Sequence, residues 1–351
     1  MVAPESRVAA SEEMSLQTPV VMFVFNRPDL TRRTLAAIRA AEPERLFVVA
    51  DGPREGNEND ARQCAAVREL IMNEVDWPCQ VVPRFAETNR GLDPNIEAGI
   101  DWVFSQVDQA IFLEDDCIAD PTFFVYCEDL LERYRDEKRV WLISGDAHEV
   151  PESYFHDYSY DFATWASIWG WATWADRWHA HRKLFDRQHV PVDQPGQLVP
   201  PHRAVPAPPH PDALVSEAGK RHFTKVSTDV DPSSYFWDHH WWVTIINQNG
   251  LSAVPRHNLI ENDGYGEGAS NTRAQKESIP ARPLELPLRH PPAVERNRRV
   301  EEELELIMVR TDSWISRVAR AIIRPLWLRA VVRKIITQPL IWRLVRKLLN
   351  R

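Results

Sequence analysis

The sequence predicts an α/β fold: a mostly parallel sheet with helices on both faces, followed by a basic amphipathic helical tail. Two observations predict the sheet. Short apolar runs alternate with segments of helical spacing throughout Pro19–Ser144, the pattern of strands joined by helical crossovers. The runs are nearly continuous rather than alternating, which suits strands covered on both faces. A third observation predicts the tail. Apolar pairs recur from Trp314/Ile315 to Leu348/Leu349 at helical spacing, with Arg and Lys between them and breaks near Pro325 and Pro339.

The elements follow in order. PVVMFVF (Pro19–Phe25) is the first strand, ended by Asn-Arg-Pro-Asp. Leu30–Ala41 has helical spacing, with Asp29 placed to cap its start. RLFVVA (Arg45–Ala50) is the second strand and runs into Asp51-Gly52-Pro53. A helix over Ala61–Val75 precedes a third strand, Gln80–Phe85. After the turn Asn89-Arg90-Gly91 comes a helix over Asp93–Gln106, with Pro94 tolerated in its first turn. Ala110–Leu113 is the fourth strand, Pro121–Arg135 a helix and Val140–Ser144 a fifth strand.

The texture changes after Asp146. TWASIWGWATWADRW (Thr164–Trp178) holds five of the 14 tryptophans. Such rings are mostly core, with one or two left for contact with a ligand, and Gly170 suits a sharp backbone turn. The Pro- and His-rich stretch 187–211 reads as an insertion or lid; its irregular His spacing argues against a metal site. Ser234–Asn249 is helical, Leu251–Pro255 a short strand, and NDGYGEGASNT (Asn262–Thr272) a glycine-rich loop able to close over a ligand.

Composition narrows the function. A formal net charge of −9 over 351 residues argues against a general nucleic-acid binder. Ser313–Arg351 carries ten Lys or Arg and no acid, so residues 1–312 stand at −19. Cys64, Cys79, Cys117 and Cys127 form no CxxC and no zinc spacing, which suits a reducing compartment. No run of about 18 apolar residues occurs, and the N-terminus has no signal-peptide core.

In a parallel sheet, ligands bind at the carboxyl ends of the strands. Those ends here carry Asn26-Arg27, Asp51 and Glu114-Asp115-Asp116. Three adjacent acids after a buried strand need a positive partner or open water. A hard divalent cation, Mn²⁺ or Mg²⁺, takes oxygen ligands, often only one or two from protein, and shares the rest with water and a diphosphate. A solvated acidic turn is the plain alternative. Asp238 lies among Trp237, Trp241 and Trp242, where desolvation raises a carboxylate's basicity; a helix-capping role is about as consistent with the residues alone, and His239 and His240 are rival bases.

VVMFVFNRPD, VVADGPR, NRGL and IFLEDDCIADPTFFVYCEDLLERY together resemble the GT-A glycosyltransferases, which have a Rossmann-like nucleotide-diphospho-sugar transferase fold. The chain looks most like a bacterial group labelled hemolytic-protein-like, distantly similar to the N-acetylglucosaminyltransferase that initiates complex N-glycans. The likeness rests on Glu114-Asp115-Asp116 with Pro121, Phe123 and Phe124 after it, and continues through Gly170-Trp171, Phe236-Trp237-Asp238 and Asn258–Thr272. It implies that Asp116 holds the metal, that Glu114 and Asp115 face the donor's sugar and ribose, and that Asn26, Arg27 and Asp51 line the nucleotide pocket. It implies Asp238 as the general base of an inverting transfer of a hexosyl or N-acetylhexosaminyl group from a UDP-sugar to a glycan or lipid-linked acceptor. One departure stands out: Asn89-Arg90-Gly91 is followed by Leu92-Asp93-Pro94, so Arg90 is the only base beside that turn.

These readings divide the chain into an arm (1–18), a nucleotide-sugar half (19–150), an acceptor and catalytic half (151–290) and a helical tail (291–351). The tail suits an anionic membrane surface, each basic residue adding about 1 kcal/mol, or packing against the acidic body. A cytoplasmic enzyme, peripheral on the inner face of the cell membrane and engaged in polysaccharide synthesis, is the expectation. Two rivals remain. A nucleotidyltransferase would show a glycine-bearing loop after the first strand, where FNRPDL has none. A membrane-active, non-enzymatic protein would leave the triplet and Asp238 without a role.

Overall fold

The computed structural model describes residues 15–184, 214–215, 219–220, 237–264 and 278–312. The strands are β1 (Val20–Val24), β2 (Arg45–Ala50), β3 (Gln80–Phe85), β4 (Gln109–Glu114), β5 (Cys117–Ala119), β6 (Val140–Ser144), β7 (Tyr160–Ala163), β8 (Trp171–Trp174), β9 (Leu251–Pro255) and β10 (Ile260–Asn262). The helices are α1 (Pro28–Arg39), α2 (Glu58–Glu74), α3 (Leu92–Val103), α4 (Pro121–Arg133), α5 (Ala175–Leu184), α6 (Trp237–Asn247) and α7 (Arg298–Asp312).

Eight strands form one sheet in the order β3-β2-β1-β4-β8-β6-β9-β7, and β5 pairs with β10 in a separate ribbon. The pairings β1–β2, β2–β3, β1–β4 and β6–β9 are parallel; β8 runs antiparallel to both β4 and β6, and β7 antiparallel to β9. This is the mostly parallel, GT-A-type α/β sheet expected. β3 lies at the edge, where Pro83 removes no hydrogen bond a neighbour needs.

Side chains alternate along each strand and build two cores. Val20, Met22, Val24, Leu46, Val48, Ile111 and Leu113 face α1, α2 and α4 through Leu35, Ile38, Val67, Leu70, Phe123 and Leu130. Val21, Phe23, Phe47, Val49 and Phe112 face the other way, against Ile96 and Ile100 of α3, Trp178 of α5 and Trp241 of α6. Continuous apolar strands are the consequence of this double covering. All four cysteines are free thiols.

One expectation needs correction. Helix α1 begins at Pro28, so Asp29 sits in its first turn, where its charge suits the helix dipole, rather than at the cap. In the sheet, β8, from the tryptophan-rich segment, lies between β4 and β6. That segment has no strict alternation because its rings fill both faces. Trp165, Trp171, Trp174 and Trp178 are buried and only Trp169 is half-buried. Gly170, as expected, takes a left-handed φ of 65° just before β8.

Helix α7 is tied down by two buried carboxylates. Glu301 accepts a hydrogen bond from the Thr164 N–H, and Glu305 one from the Val215 N–H at 2.8 Å. The basic stretch 313–351, the Pro/His-rich stretch 187–211 and most of the glycine-rich loop lie outside the described residues. Among the described residues, no helix is long and apolar enough to cross a membrane.

Candidate active site

The parallel register fixes the site. Phe23 pairs with Glu114, and Val24 with Ala50, so β1, β2 and β4 end at one level. Arg27 follows β1, Asp51 follows β2, and Asp115 and Asp116 follow β4. The Arg27 guanidinium reaches across to pair with Asp115 and stands 3.0 Å from Asp116 Oδ2. Thr34 of α1 pins the same turn by donating to the Asp115 carbonyl at 3.0 Å.

Three acids share this one arginine, and the electrostatics show it. Burial, then repulsion from Asp116 and Asp115, pushes the Glu114 carboxyl up to about 8. Burial raises Asp115 to about 6, with Arg27 working against the rise. Burial alone would lower Arg27, but Asp115 and Asp116 outweigh it and hold its charge firmly. Asp115 Oδ2 is buried without a hydrogen-bond partner, an uncommon condition for a carboxylate oxygen.

The second catalytic candidate comes from the other half of the chain. Asp238 lies in the first turn of α6, half-buried, with Oδ1 accepting from the His239 N–H at 2.9 Å. Burial raises its carboxyl to about 6. Its charge is also among those that raise Glu114, so the structure brings Asp238 within electrostatic reach of the end of β4. Trp237 N–H donates to Asp93 of α3 at 2.9 Å, which docks the start of α6 on α3.

Asp51 is arranged differently. Its Oδ1 accepts from the backbone N–H of Gly52 and Arg90, both at 2.8 Å, and its Oδ2 from Asn89 Nδ2 at 3.0 Å and Gly91 N–H at 3.1 Å. The carboxylate thereby shapes the Asn89-Arg90-Gly91 turn. Asn26 donates to Asp60 at 2.8 Å, and Asp60 is also paired with Arg54. Asn26 and Asp51 therefore stand at the same sheet edge as the triplet, each engaged with neighbouring turns.

Two features escaped the sequence. The first is the contact that the start of the glycine-rich loop makes with Asp116. Asp263 N–H donates to the Asp116 carbonyl at 3.0 Å, Asp263 pairs with Arg33, and Gly264 packs on the Asp116 carboxylate. A Cβ at Gly264 would lie 2.1 Å from Asp116 Oδ2. The second is the pair Asp146 and His148, just beyond β6. Its only sequence signal is an acid placed after a buried strand, the same signal the triplet gives.

Three clustered carboxyl groups, one with an orphaned oxygen, suit a hard divalent cation. Asp116 and Asp115 are the residues placed to hold one. Among the described residues no three His, Cys, Asp or Glu side chains form a complete metal cage.

The family model for glycosyl transferase family 2 matches residues 20–198. That match spans the sheet edge, the triplet and β8. The chain belongs to glycosyl transferase family 2. No curated protein matches the sequence. Among solved structures, this family 2 chain resembles the mannosyltransferase PcManGT from Pyrobaculum calidifontis, in complex with GDP-Man and Mn²⁺, at 12% identity and a TM-score of 0.33. The alignment covers 51% of this chain and 55% of that one.

Proposed function

We propose that the chain is a metal-dependent, inverting glycosyltransferase. It moves a hexosyl or N-acetylhexosaminyl group from a nucleoside-diphosphate donor, with UDP as the carrier, to a hydroxyl of a glycan or lipid-linked sugar. The observation that carries this reading is the joint placement of Glu114, Asp115 and Asp116 with one arginine and the half-buried Asp238.

In this reading Asp238 takes the proton of the acceptor hydroxyl as that oxygen attacks the anomeric carbon. The bond from that carbon to the diphosphate breaks, and its electron pair leaves with the phosphate oxygen. One displacement inverts the centre. A carboxyl with a pKa near 6 is ionised at neutral pH yet more basic than an ordinary aspartate. Asp116 and Asp115 would hold Mn²⁺ or Mg²⁺, which supplies charge neutralisation for the departing diphosphate. Glu114 faces the donor sugar. Asn26 and Arg27 line the nucleotide, and Asp51 acts through the 89–91 turn it shapes. The basic stretch 313–351 would hold the enzyme at the inner face of an anionic membrane; sedimentation of the full chain with anionic vesicles at low salt tests that part.

A thermal-shift screen of nucleotide sugars, with and without Mn²⁺, tests the reading. Stabilisation by a UDP-sugar only when Mn²⁺ is present supports it. No stabilisation by any nucleotide sugar under either condition overturns it.

A further inference from the structure

Trp171 of β8 lies opposite Phe112 of β4 on one side and Ser144 of β6 on the other. Glu114 and Asp146 therefore each stand two residues beyond the same row, about 10 Å apart across one intervening strand. Asp146 is buried, and its Oδ1 accepts the His148 N–H at 2.6 Å. Its Oδ2 lies 3.1 Å from His148 Nδ1 and has no hydrogen bond of its own. His148 has a left-handed φ of 51°, an uncommon backbone conformation for a non-glycine residue. Its ring lies face to face with Trp165, centroids 5.9 Å apart and planes within 6°, and meets the Trp169 ring at 5.4 Å.

This aromatic wall runs towards the base. Trp165 contacts Trp242 at 5.4 Å, and Trp242 contacts His239, the neighbour of Asp238, at 5.3 Å. Trp165 Nε1 and Trp242 Nε1 are buried without hydrogen-bond partners. The rings of His148 and Trp169 are only partly covered. Among the described residues, His148 Nε2 is bonded to nothing.

We infer that His148 and Trp169, backed by the buried Asp146 and Trp165, form the acceptor's sugar subsite, which takes a neutral pyranoside. This deepens the glycosyltransferase reading and rests on it. The ring face of the sugar stacks on the half-buried Trp169 indole, and His148 Nε2 makes a hydrogen bond to a sugar hydroxyl. Asp146 holds the imidazole in place. A neutral sugar fits because Asp238, ionised at neutral pH, would repel an anionic one. The left-handed conformation at His148 is maintained by the buried Asp146, as expected of a ring held for binding.

Saturation-transfer NMR on the full chain with UDP and Mn²⁺ tests this. The probes are the methyl β-pyranosides of glucose, galactose, mannose and N-acetylglucosamine. At least one glycoside should give a signal in the wild type. His148→Asn, chosen because Asn tolerates the left-handed backbone, should weaken it about fivefold to tenfold, the effect of one lost hydrogen bond. Trp169→Leu should weaken it at least as much, and His148→Gln should restore part of it. Circular dichroism confirms folding of each variant. A merely structural role would lower the melting temperature and leave the glycoside signal intact. Signals from UDP with none from any glycoside in the wild type, or glycoside signals unchanged in both His148→Asn and Trp169→Leu, overturn the inference alone. Absence of UDP signals overturns the glycosyltransferase reading itself.

Discussion

Arg27 Nη2 stands 3.0 Å from Asp116 Oδ2, and the same guanidinium pairs with the buried Asp115. Removing it leaves a buried charge without its partner. Arg27→Gln should therefore cost about 3 kcal/mol of stability at pH 8. The loss should shrink at pH 5, because Asp115, raised to about 6, then carries a proton and needs no cation. Urea unfolding of both proteins at the two pH values measures this; equal losses at both would contradict it.

Glu301 gives a second pH test, remote from the triplet. Burial pushes its carboxyl up to about 8, against an ordinary 4.5. The folded state thus holds a proton that the unfolded state releases. Its stabilising effect is complete below pH 4.5 and is lost as pH rises through about 8. Glu301→Gln keeps an oxygen to accept the Thr164 N–H and removes the titration. The stability of the wild type relative to this variant should fall steadily between pH 5 and 8, and a rise over that window would refute the assignment.

Gly264→Ala should damage the site more than the fold. Its methyl would meet Asp116 Oδ2 at 2.1 Å and Asn262 Oδ1 at 3.1 Å. Relief requires moving the Asp116 carboxylate or the β10 segment, at roughly 1–3 kcal/mol. Manganese-dependent UDP binding should weaken markedly while the melting transition stays cooperative; unchanged UDP affinity would show that Asp116 is not where the nucleotide complex forms.

Much of this was legible because continuous apolar strands advertise a buried parallel sheet. The runs Arg45–Ala50, Gln80–Phe85, Val140–Ser144 and Leu251–Pro255 are strands at those bounds, and the acids after Leu113 mark the ligand edge. What was not legible depends on contacts distant in the chain. Trp171–Trp174 becomes a strand only because β4 and β6 offer edges to it. Gly264 meets Asp116 only because β10 pairs with β5. Asp51 reads as a site residue by position, yet its hydrogen bonds show a carboxylate engaged with a turn. Asp146 and His148 sit in SGDAHEV, which looks like any loop until β8 places it level with Glu114.

Asp238→Asn should lower kcat by about 10² to 10⁴-fold, the usual contribution of a general base, with donor affinity kept. His239→Ala and His240→Ala should each lower it by less than about tenfold if Asp238 is the base. Steady-state kinetics with the donor identified by the thermal-shift screen decide between them. A larger loss from either histidine would transfer the role to it.

The account depends most on a cation and a diphosphate meeting at Asp116. Calorimetric titration of UDP into the full chain, with Mn²⁺ and then with chelator, measures that directly. The expected result is UDP binding that requires Mn²⁺ in the wild type and disappears in Asp116→Asn. UDP binding of equal strength with and without Mn²⁺, or unchanged by Asp116→Asn, would contradict it.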